Sequence, residues 1–413
     1  MTVRRSALAL TALTALTAAS AAFAPAAVAE DSPAPSPSVR VPSGLYGDGD
    51  PTYDGVYRQS LALLAQDTAG VEPAAKAVDW LMGQQCEDGS FAPFRADPSA
   101  ACDAKTPVDT NQTATAVQAL AALGGHDKAV GKAVDWLKSV QNDDGGWSYT
   151  PGDDTDTNST SLVVGALAAT GTKAASVTSG KDRTPEDALL GLSLECADGG
   201  AFAFQPEKNG DLNANADATA AGVLGGLGSS LVVTKGKTGA QPACEKPADA
   251  RTAAANGAAH LAGLLEKDGH LTSTTPGAED QPDIGNTADA VTALYAAGLT
   301  DAAKKPLAWL KKNGPAWAKQ SGPSAYAQLV LTAHATGTDP RAFGSTDLVA
   351  ALNATGPEPE ADGKGGSDAQ GGEEQAADED GSQLSVWWII GVGLLVGAGV
   401  GLMLSLRNKS GRK

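Results

Sequence analysis

Two kinds of apolar segment alternate along the chain between about residues 46 and 355. The first kind is amphipathic, because in the segments that lead to Leu81 and Leu137 the apolar residues recur at helical spacing on one face. The second kind has a polar start and then consists almost entirely of small apolar residues, as in 113–124 and 160–171. Helices that are apolar all round are buried, whereas amphipathic helices lie half exposed. The alternation therefore predicts two layers of helices.

The alternation coincides with an internal sequence repeat. The string AVDWL occurs at 77–81 and again at 133–137, and each copy is followed by an Asp-Gly step. Glycine just past the last turn supplies the left-handed conformation that commonly ends a helix. Weaker copies of the step predict three further helix ends, at Asp198-Gly199, Asp268-Gly269 and Asn313-Gly314.

Six segments of each kind can be counted. The buried set begins with 53–69 and ends with 324–337, and 345–353 completes the amphipathic set. Six buried and six half-exposed helices in alternation predict an all-α fold, an α6/α6 toroid in which an inner barrel is surrounded by an outer one. This toroid would occupy residues 45–355 as one domain, and an open solenoid of helical pairs is the competing arrangement.

The N-terminal segment has the pattern of an export signal. Arg4 and Arg5 precede an apolar run that ends in the small residues Ala27-Val28-Ala29, which predicts a secretory signal peptide over residues 1–29. Residues 30–44 form a linker rich in Pro and Ser. The soluble part of the chain is therefore expected outside the cell.

The C-terminal segment has the pattern of a membrane anchor. Residues 356–385 are rich in Gly and acidic residues, which predicts a disordered acidic tether. Residues 386–406 carry no charge and are long enough to cross a bilayer as a helix, and the basic tail 407–413 places that end in the cytoplasm. A buried core helix is the alternative for 386–406. The pattern predicts a single-pass cell-membrane protein whose bulk is extracellular.

The charge and the cysteines limit the partners further. The formal net charge is −18 and no basic patch occurs, so nucleic acid is not expected as a partner. Four cysteines in an exported chain favour disulfides over free thiols, and three pairings are open. Cys86 and Cys196 each stand two residues before the Asp of an Asp-Gly step, which favours the pairs Cys86–Cys102 and Cys196–Cys244.

Two of the repeats carry a recognisable motif. Residues 141–147 read QNDDGGW, which is QxxxGxW, and residues 85–91 read QxxxGxF. They resemble the QW-type repeats of the terpenoid cyclase and protein prenyltransferase superfamily. The resemblance implies an α/α toroid in which Gln85 and Gln141 cap the outer helices and the aromatic residue packs in the core. It implies the fold more than the function, because this toroid carries several unrelated activities.

The known chemistries of that superfamily find little support in the residues. A terpenoid cyclase needs an acidic DxDD-like motif and an aromatic pocket, but the nearest strings are 153–156 and 213–217, and aromatic residues make up 5% of the chain. A prenyltransferase zinc site needs His and Cys ligands, and none of the four histidines has a metal-ligand spacing from a cysteine. No metal site is predicted and no cofactor is evident.

Polar residues at the starts of the buried helices are the candidate site. In parallel inner helices these starts meet at one mouth of the barrel. Each residue alone is best interpreted as a helix N-cap, but together they would form a polar ring that binds a ligand. The candidate ligand-binding residues are Asp109, Thr110, Asn111, Asp156, Thr157, Asn158, Asn215, Asp217, Asn286 and Asp289.

One further resemblance suggests a ligand. The string VDTNQTATAVQALAAL at 108–123 is similar to inner-helix starts in cobalamin carriers, although this chain lacks the β domain of that family. We therefore expect a surface-anchored, non-catalytic binding module for a small ligand, with cobalamin as one candidate, or for a partner protein. The alternative is an enzyme, either a terpenoid cyclase or prenyltransferase relative or a lyase acting on glycans.

Overall fold

The computed structural model describes residues 41–234, 236, 244–273 and 280–360, and within them the chain forms twelve α-helices and one short β-hairpin. The inner helices are α1 (Gly55–Thr68), α3 (Thr110–Leu123), α5 (Thr157–Ala169), α7 (Ala216–Leu227), α9 (Ile284–Ala296) and α11 (Pro323–Thr336). The outer helices are α2 (Ala75–Gly83), α4 (Asp127–Ser139), α6 (Pro185–Gly191), α8 (Ala250–Glu266), α10 (Thr300–Ser321) and α12 (Leu348–Asn353). The hairpin pairs β1 (Leu271–Ser273) with β2 (Gln281–Asp283) in antiparallel register.

The inner helices form a closed ring. Each one packs against the next inner helix in the chain, and the last, α11, packs against α1. The two ends of the described chain meet at this seam, where the amide of Gly47 donates a hydrogen bond to the carbonyl of Thr355 at 2.7 Å. The predicted α/α toroid is confirmed, and the open solenoid is wrong.

Burial follows the predicted layers. In α5 every residue from Thr157 to Leu167 is buried, whereas α4 buries only one face, which includes Ala133 and Leu137. An inner helix contacts both its ring neighbours and the outer layer, so no side of it is left for solvent. The small residues of the inner helices let these helices approach one another closely.

The repeated Asp-Gly step lies in the turn after the outer helix and not at its C-cap as predicted, since α2 ends at Gly83 and α4 ends at Ser139. The glycine of the step has a steric reason. Gly89 and Gly145 have φ angles of +100° and +94°, a region that disfavours residues with a side chain. A Cβ on either glycine would lie 2.2 Å from a carbonyl oxygen, that of Lys132 or that of Thr184. The turn therefore requires glycine both for its conformation and for its close approach to the next outer helix.

The QW-type motif joins neighbouring repeats. Trp147 is fully buried, as expected, and its Nε1 donates to the carbonyl of Leu137 at 2.7 Å. The glutamine acts differently from the prediction, because Nε2 of Gln85 donates to the carbonyl of Gly89 in the turn and to that of Ala129 in α4. It fixes the turn to the next outer helix instead of capping its own.

A threonine four residues after the N-cap of four inner helices anchors the preceding loop. The amide of Trp147 donates to Oγ1 of Thr160 at 2.9 Å, and the amide of Phe202 donates to Oγ1 of Thr219 at 3.0 Å. Equivalent bonds join Phe91 to Thr113 and Leu271 to Thr287. These bonds satisfy buried backbone donors, which are costly to leave unpaired.

The helix end predicted at Asn313-Gly314 is wrong, and the β-hairpin was not predicted. Asn313 and Gly314 lie inside α10, which continues to Ser321. Gly314 is there for packing, since a Cβ would lie 3.1 Å from Cδ1 of Leu329 on α11. The β-hairpin between α8 and α9 follows the predicted helix end near Gly269. It was not predicted because its polar sequence lacks the alternation of apolar and polar residues that indicates a strand.

Both preferred disulfides are present. Cys86 bonds to Cys102 and Cys196 bonds to Cys244, with Cα–Cα distances of 5.6 Å in each case. No free cysteine remains among the described residues, so the alternative of free thiols is wrong for this structure.

The predicted signal peptide (1–29) and membrane helix (386–406) lie outside the described residues. Of the helices that the structure does describe, none is both long and apolar enough to cross a bilayer. The first five residues of the predicted tether, 356–360, lie against the ring. Oη of Tyr46 contacts the carbonyl of Pro357 at 3.3 Å, and the amide of Glu360 donates to the carbonyl of Glu72.

Candidate functional site

One stripe of each inner helix faces the lumen of the ring. In α5, whose N-cap is Asp156, the residues that line a central cavity are Asn158, Ser161, Leu162 and Gly165, which stand two, five, six and nine positions after the cap. The offsets five, six and nine recur in α7, and the offsets six and nine recur in α9. This spacing is that of one face of an α-helix, so the N-cap fixes which polar residues can reach the lumen.

The cavity has a volume of about 80 Å³ and mostly apolar walls. Leu61, Leu162, Leu224 and Leu331 provide apolar surface from four inner helices. The polar side chains in the wall are fewer and include Gln118, Asn158, Asp289 and Gln328. Apolar walls with a few placed polar groups are typical of small-molecule sites.

Three of the predicted site residues are N-caps. Asp109, Asp156 and Asn215 each accept a hydrogen bond from the backbone amide three residues on, at Gln112, Ser159 and Ala218. Thr110 and Thr157 follow two of these caps and are buried, and Oγ1 of Thr157 donates to the carbonyl of Ala203. These five residues shape the mouth without lining the cavity.

The residues two positions after those caps are better placed. Asn111, Asn158 and Asp217 occupy this offset in α3, α5 and α7. Asn158 lines the cavity, and its Nδ2 donates to Oδ2 of Asp217 at 2.8 Å. The structure thus joins two of the predicted residues directly across neighbouring helices.

The fourth predicted helix start is shifted. The N-cap of α9 is Asp283, so Asn286 lies inside the helix, and its Nδ2 donates to Oδ2 of Asp283. Asp289 lies a further turn along, lines the cavity, and accepts a hydrogen bond from Nε2 of Gln328 at 2.7 Å. The cap was missed because it follows the unpredicted hairpin.

Two carboxyl groups near the cavity are desolvated. Burial raises the pKa of Asp217 to about 7, even though its side chain keeps some exposure. The hydrogen bond from Asn158 opposes this shift, whereas the charges of Asp283 and Asp156 add to it. Burial also raises the pKa of Asp289 well above its ordinary value, against the hydrogen bond from Gln328. Both groups therefore retain protons to unusually high pH.

Tyr57 on α1 lies close to the same two carboxyl groups. It lines the cavity with 8% of its surface exposed. Burial raises the pKa of its phenol, and the negative charges of Asp289 and Asp217 raise it further. Tyr57, Asp217 and Asp289 thus form one electrostatically coupled group, which we call the acid cluster.

The far end of the lumen is closed by the loop after α7. Ser229, Ser230 and Leu231 line the cavity from this loop. The amide of Leu231 donates to Oε1 of Gln118 at 2.8 Å, and Nε2 of Gln118 in turn donates to the carbonyl of Leu162 at 3.3 Å. This hydrogen-bonded loop therefore lines the cavity beyond the end of α7.

Several residues that line the cavity were not predicted as site residues from the sequence. Tyr57, Gln118, Ser161, Trp317 and Gln328 all line the lumen. The available signal was the offset from each N-cap, which marks Ser161 and Gln118 as lumen positions. Trp317 comes from the end of α10, an outer helix, and no helical offset could have found it. Among the described residues no group of three potential metal ligands comes together.

The comparisons agree with the fold. Residues 48–189 match the family model of the prenyltransferase alpha-alpha toroid domain. The predicted family resemblance is confirmed over that stretch. It contains α1 to α5 and the start of α6, and both copies of the QxxxGx-aromatic motif. No curated protein matches the sequence.

The chain is also similar to solved structures of low identity. A glycosidase is 16% identical, covering 72% of this chain and 93% of its own, with a TM-score of 0.44. A protein from Actinoplanes is 16% identical over 67% of this chain and 77% of its own, with a TM-score of 0.39. A sugar epimerase from a ruminal bacterium is 14% identical over 66% and 82%, with a TM-score of 0.40. Likeness at this level does not extend to activity.

Proposed function

We propose that this protein is a non-catalytic binding module, anchored at the cell surface, that captures a small ligand in the lumen of the toroid. The observation that carries the proposal is the central cavity, which is lined by residues of the inner helices and by Leu231 of the loop after α7. The lumen of a helical ring needs side chains to fill it, and here about 80 Å³ is left open beside buried polar groups.

The anchoring part of the proposal rests on the sequence. The signal pattern of 1–29, the uncharged run 386–406 and the basic tail 407–413 support an extracellular ring on a membrane helix. A captured ligand would then be held close to the cell surface. A partner protein at the mouth is the other binding partner that this placement allows.

A large ligand such as cobalamin would fit only partly. A corrinoid ring is much larger than the cavity, so it would cover the mouth and insert no more than a side group. Of the N-caps, Asn215 is exposed and available for such a contact, whereas Asp109 and Asp156 are buried. A ligand of a few heavy atoms would instead enter the lumen fully.

The enzyme alternative also has one specific observation in its favour. Burial raises the pKa of Asp217 to about 7 and that of Asp289 well above its ordinary value, and a raised pKa is a property of a general acid. Paired carboxyl groups with raised pKa values are common in catalytic clefts, yet buried structural acids show the same shift. For the enzyme alternative, the substrate of such a general acid would be an isoprenoid or a glycan.

A binding and turnover screen tests the proposal. The full-length chain is offered cobalamin, small amines and alcohols, short isoprenoids and oligosaccharides, and binding is followed by calorimetry while products are followed by mass spectrometry. We expect stoichiometric binding without product. Turnover that disappears in Asp289→Asn, but not in the exposed control Asp135→Asn, would replace the binding module by the enzyme.

A further inference from the structure

The described wall of the central cavity contains an acidic side chain but no basic one. Asp289 lines the cavity at 8% exposure, and Asp217 is bound to the lining residue Asn158. No Lys, Arg or His occurs among the cavity's described lining residues. Arg58, the basic residue nearest in sequence to Tyr57, is engaged elsewhere by Asp54 at 3.3 Å and by the carbonyl of Gly49. The carboxyl groups therefore have no built-in counter-ion.

Hydrogen-bonding capacity in the lumen is also unused. The hydroxyl of Ser161 has no hydrogen-bond partner in the structure, although the side chain is 6% exposed and belongs to the cavity wall. Oδ1 of Asp217 is likewise buried without a partner. Leaving such groups unpaired costs free energy, which a ligand that donates hydrogen bonds can recover.

Aromatic faces complete the site. Tyr57 and Trp317 line the same cavity as Asp289, and the rest of the wall is mostly aliphatic. Carboxylates supply charge to a bound cation, and aromatic faces attract it through their quadrupole. An anion would oppose ionisation of these carboxyl groups, and a neutral alcohol would supply no counter-ion for their charged forms.

From this combination we infer that the lumen binds an organic ammonium ion, with its charged group at Asp289, attracted also by the carboxyl group of Asp217, and its aliphatic part directed toward Leu231. The inference rests on the proposed binding function and names the class of ligand. The donors of a primary ammonium group match the free acceptors Oδ1 of Asp217 and Oγ of Ser161.

Binding must then displace protons. The titratable groups near Asp289 and Asp217 are the N-caps Asp156 of α5 and Asp283 of α9 and the phenol of Tyr57. Helix α11 contributes the neutral Gln328. A cation between two carboxyl groups favours their charged forms. Calorimetry in buffers of different ionisation enthalpy should therefore record proton release on binding near pH 6.5.

Three probes of matched shape test the inference on the full-length chain: n-butylammonium, n-butanol and n-butyrate. We expect n-butylammonium to bind at least about tenfold more tightly than n-butanol, equivalent to about 1.4 kcal/mol, and n-butyrate not to bind. The double variant Asp217→Asn/Asp289→Asn should lose this preference, while Asp135→Asn, an exposed acid on α4, should keep it.

The outcomes separate this inference from the proposed function. Equal binding of n-butanol and n-butylammonium, or an unchanged preference in the double variant, overturns the ammonium assignment but leaves a binding module. Absence of binding by all three probes, together with an empty result in the wider screen, overturns both. A circular dichroism spectrum and melting curve of each variant establish that it is folded.

Discussion

Leu231 is held inside the helical ring by Gln118, whose Oε1 accepts the backbone amide of Leu231 at 2.8 Å. The two residues lie far apart in the chain and on different repeats. Gln118 is 1% exposed, so its amide group must find partners within the protein, and it finds Leu231 on one side and Leu162 on the other. This contact holds the loop after α7 against the lumen, where Leu231 lines the cavity.

Replacing Gln118 by Ala should release the loop that closes the cavity. The substitution leaves the Leu231 amide without its acceptor and should reduce the free energy of unfolding by about 1–3 kcal/mol. Hydrogen exchange at the Leu231 amide should become faster. Gln112→Ala, on the same helix but bonded to the carbonyl of Tyr53 at the mouth, should leave that amide protected. Equal exchange in the two variants would contradict this role of Gln118.

The raised pKa values predict how stability changes with pH. The pKa is about 7 for Asp109 and Asp217 and about 6 for Asp156, all above the ordinary Asp value because of burial. The folded state therefore binds more protons than the unfolded state between about pH 4 and 7, and stability falls as pH rises through that window.

The thermal midpoint measured at several pH values checks this expectation. It should decrease from pH 5 to pH 8, and Asp217→Asn should flatten the decrease because an amide keeps the contact with Asn158 without a charge. Exposed acids with lowered pKa values, such as Asp97 and Asp249, act in the opposite direction and only at lower pH. A midpoint that rises steadily to pH 8 would show that burial of these acids has little weight.

Gly145→Ala should destabilise the fold more than Gly152→Ala. Both glycines have positive φ angles, +94° and +90°, so both variants carry a conformational cost of about 1 kcal/mol or more. Only at Gly145 would the new Cβ collide, at 2.2 Å from the carbonyl of Thr184, whereas Gly152 has no atom within 4 Å. Chemical denaturation of the two variants isolates the steric part. Equal losses would mean that the close approach relaxes freely.

The two disulfides should differ in their contribution to stability. The bond Cys196–Cys244 spans 48 residues and Cys86–Cys102 spans 16. Loop-closure entropy predicts losses of about 4 kcal/mol and about 3 kcal/mol on replacing each pair by Ala. Urea unfolding of both paired variants measures the losses. A larger loss for Cys86–Cys102 would point to strain or residual structure as the main factor.

Much of the fold follows from local patterns in the sequence. The two kinds of apolar segment predicted the six inner and six outer helices, because helical periodicity is a property of a short segment. The Asp-Gly steps did not mark the helix ends, since α2 and α4 end six residues before Gly89 and Gly145. The cysteine positions in the repeats determined both disulfides. The helix end predicted at Asn313-Gly314 was wrong, because a glycine that packs against Leu329 has the same local sequence as a helix end.

Tertiary structure decided which polar residues face the lumen. Asp109 and Asn158 are both polar residues near a helix start, yet one caps its helix and the other lines the cavity, because the rotation of each helix in the ring selects the face that points inward. The raised pKa values of Asp217 and Asp289 and the closure of the cavity by Leu231 arise only when distant repeats meet. Burial and long-range contacts depend on residues from several repeats, whereas periodicity is a property of a single segment.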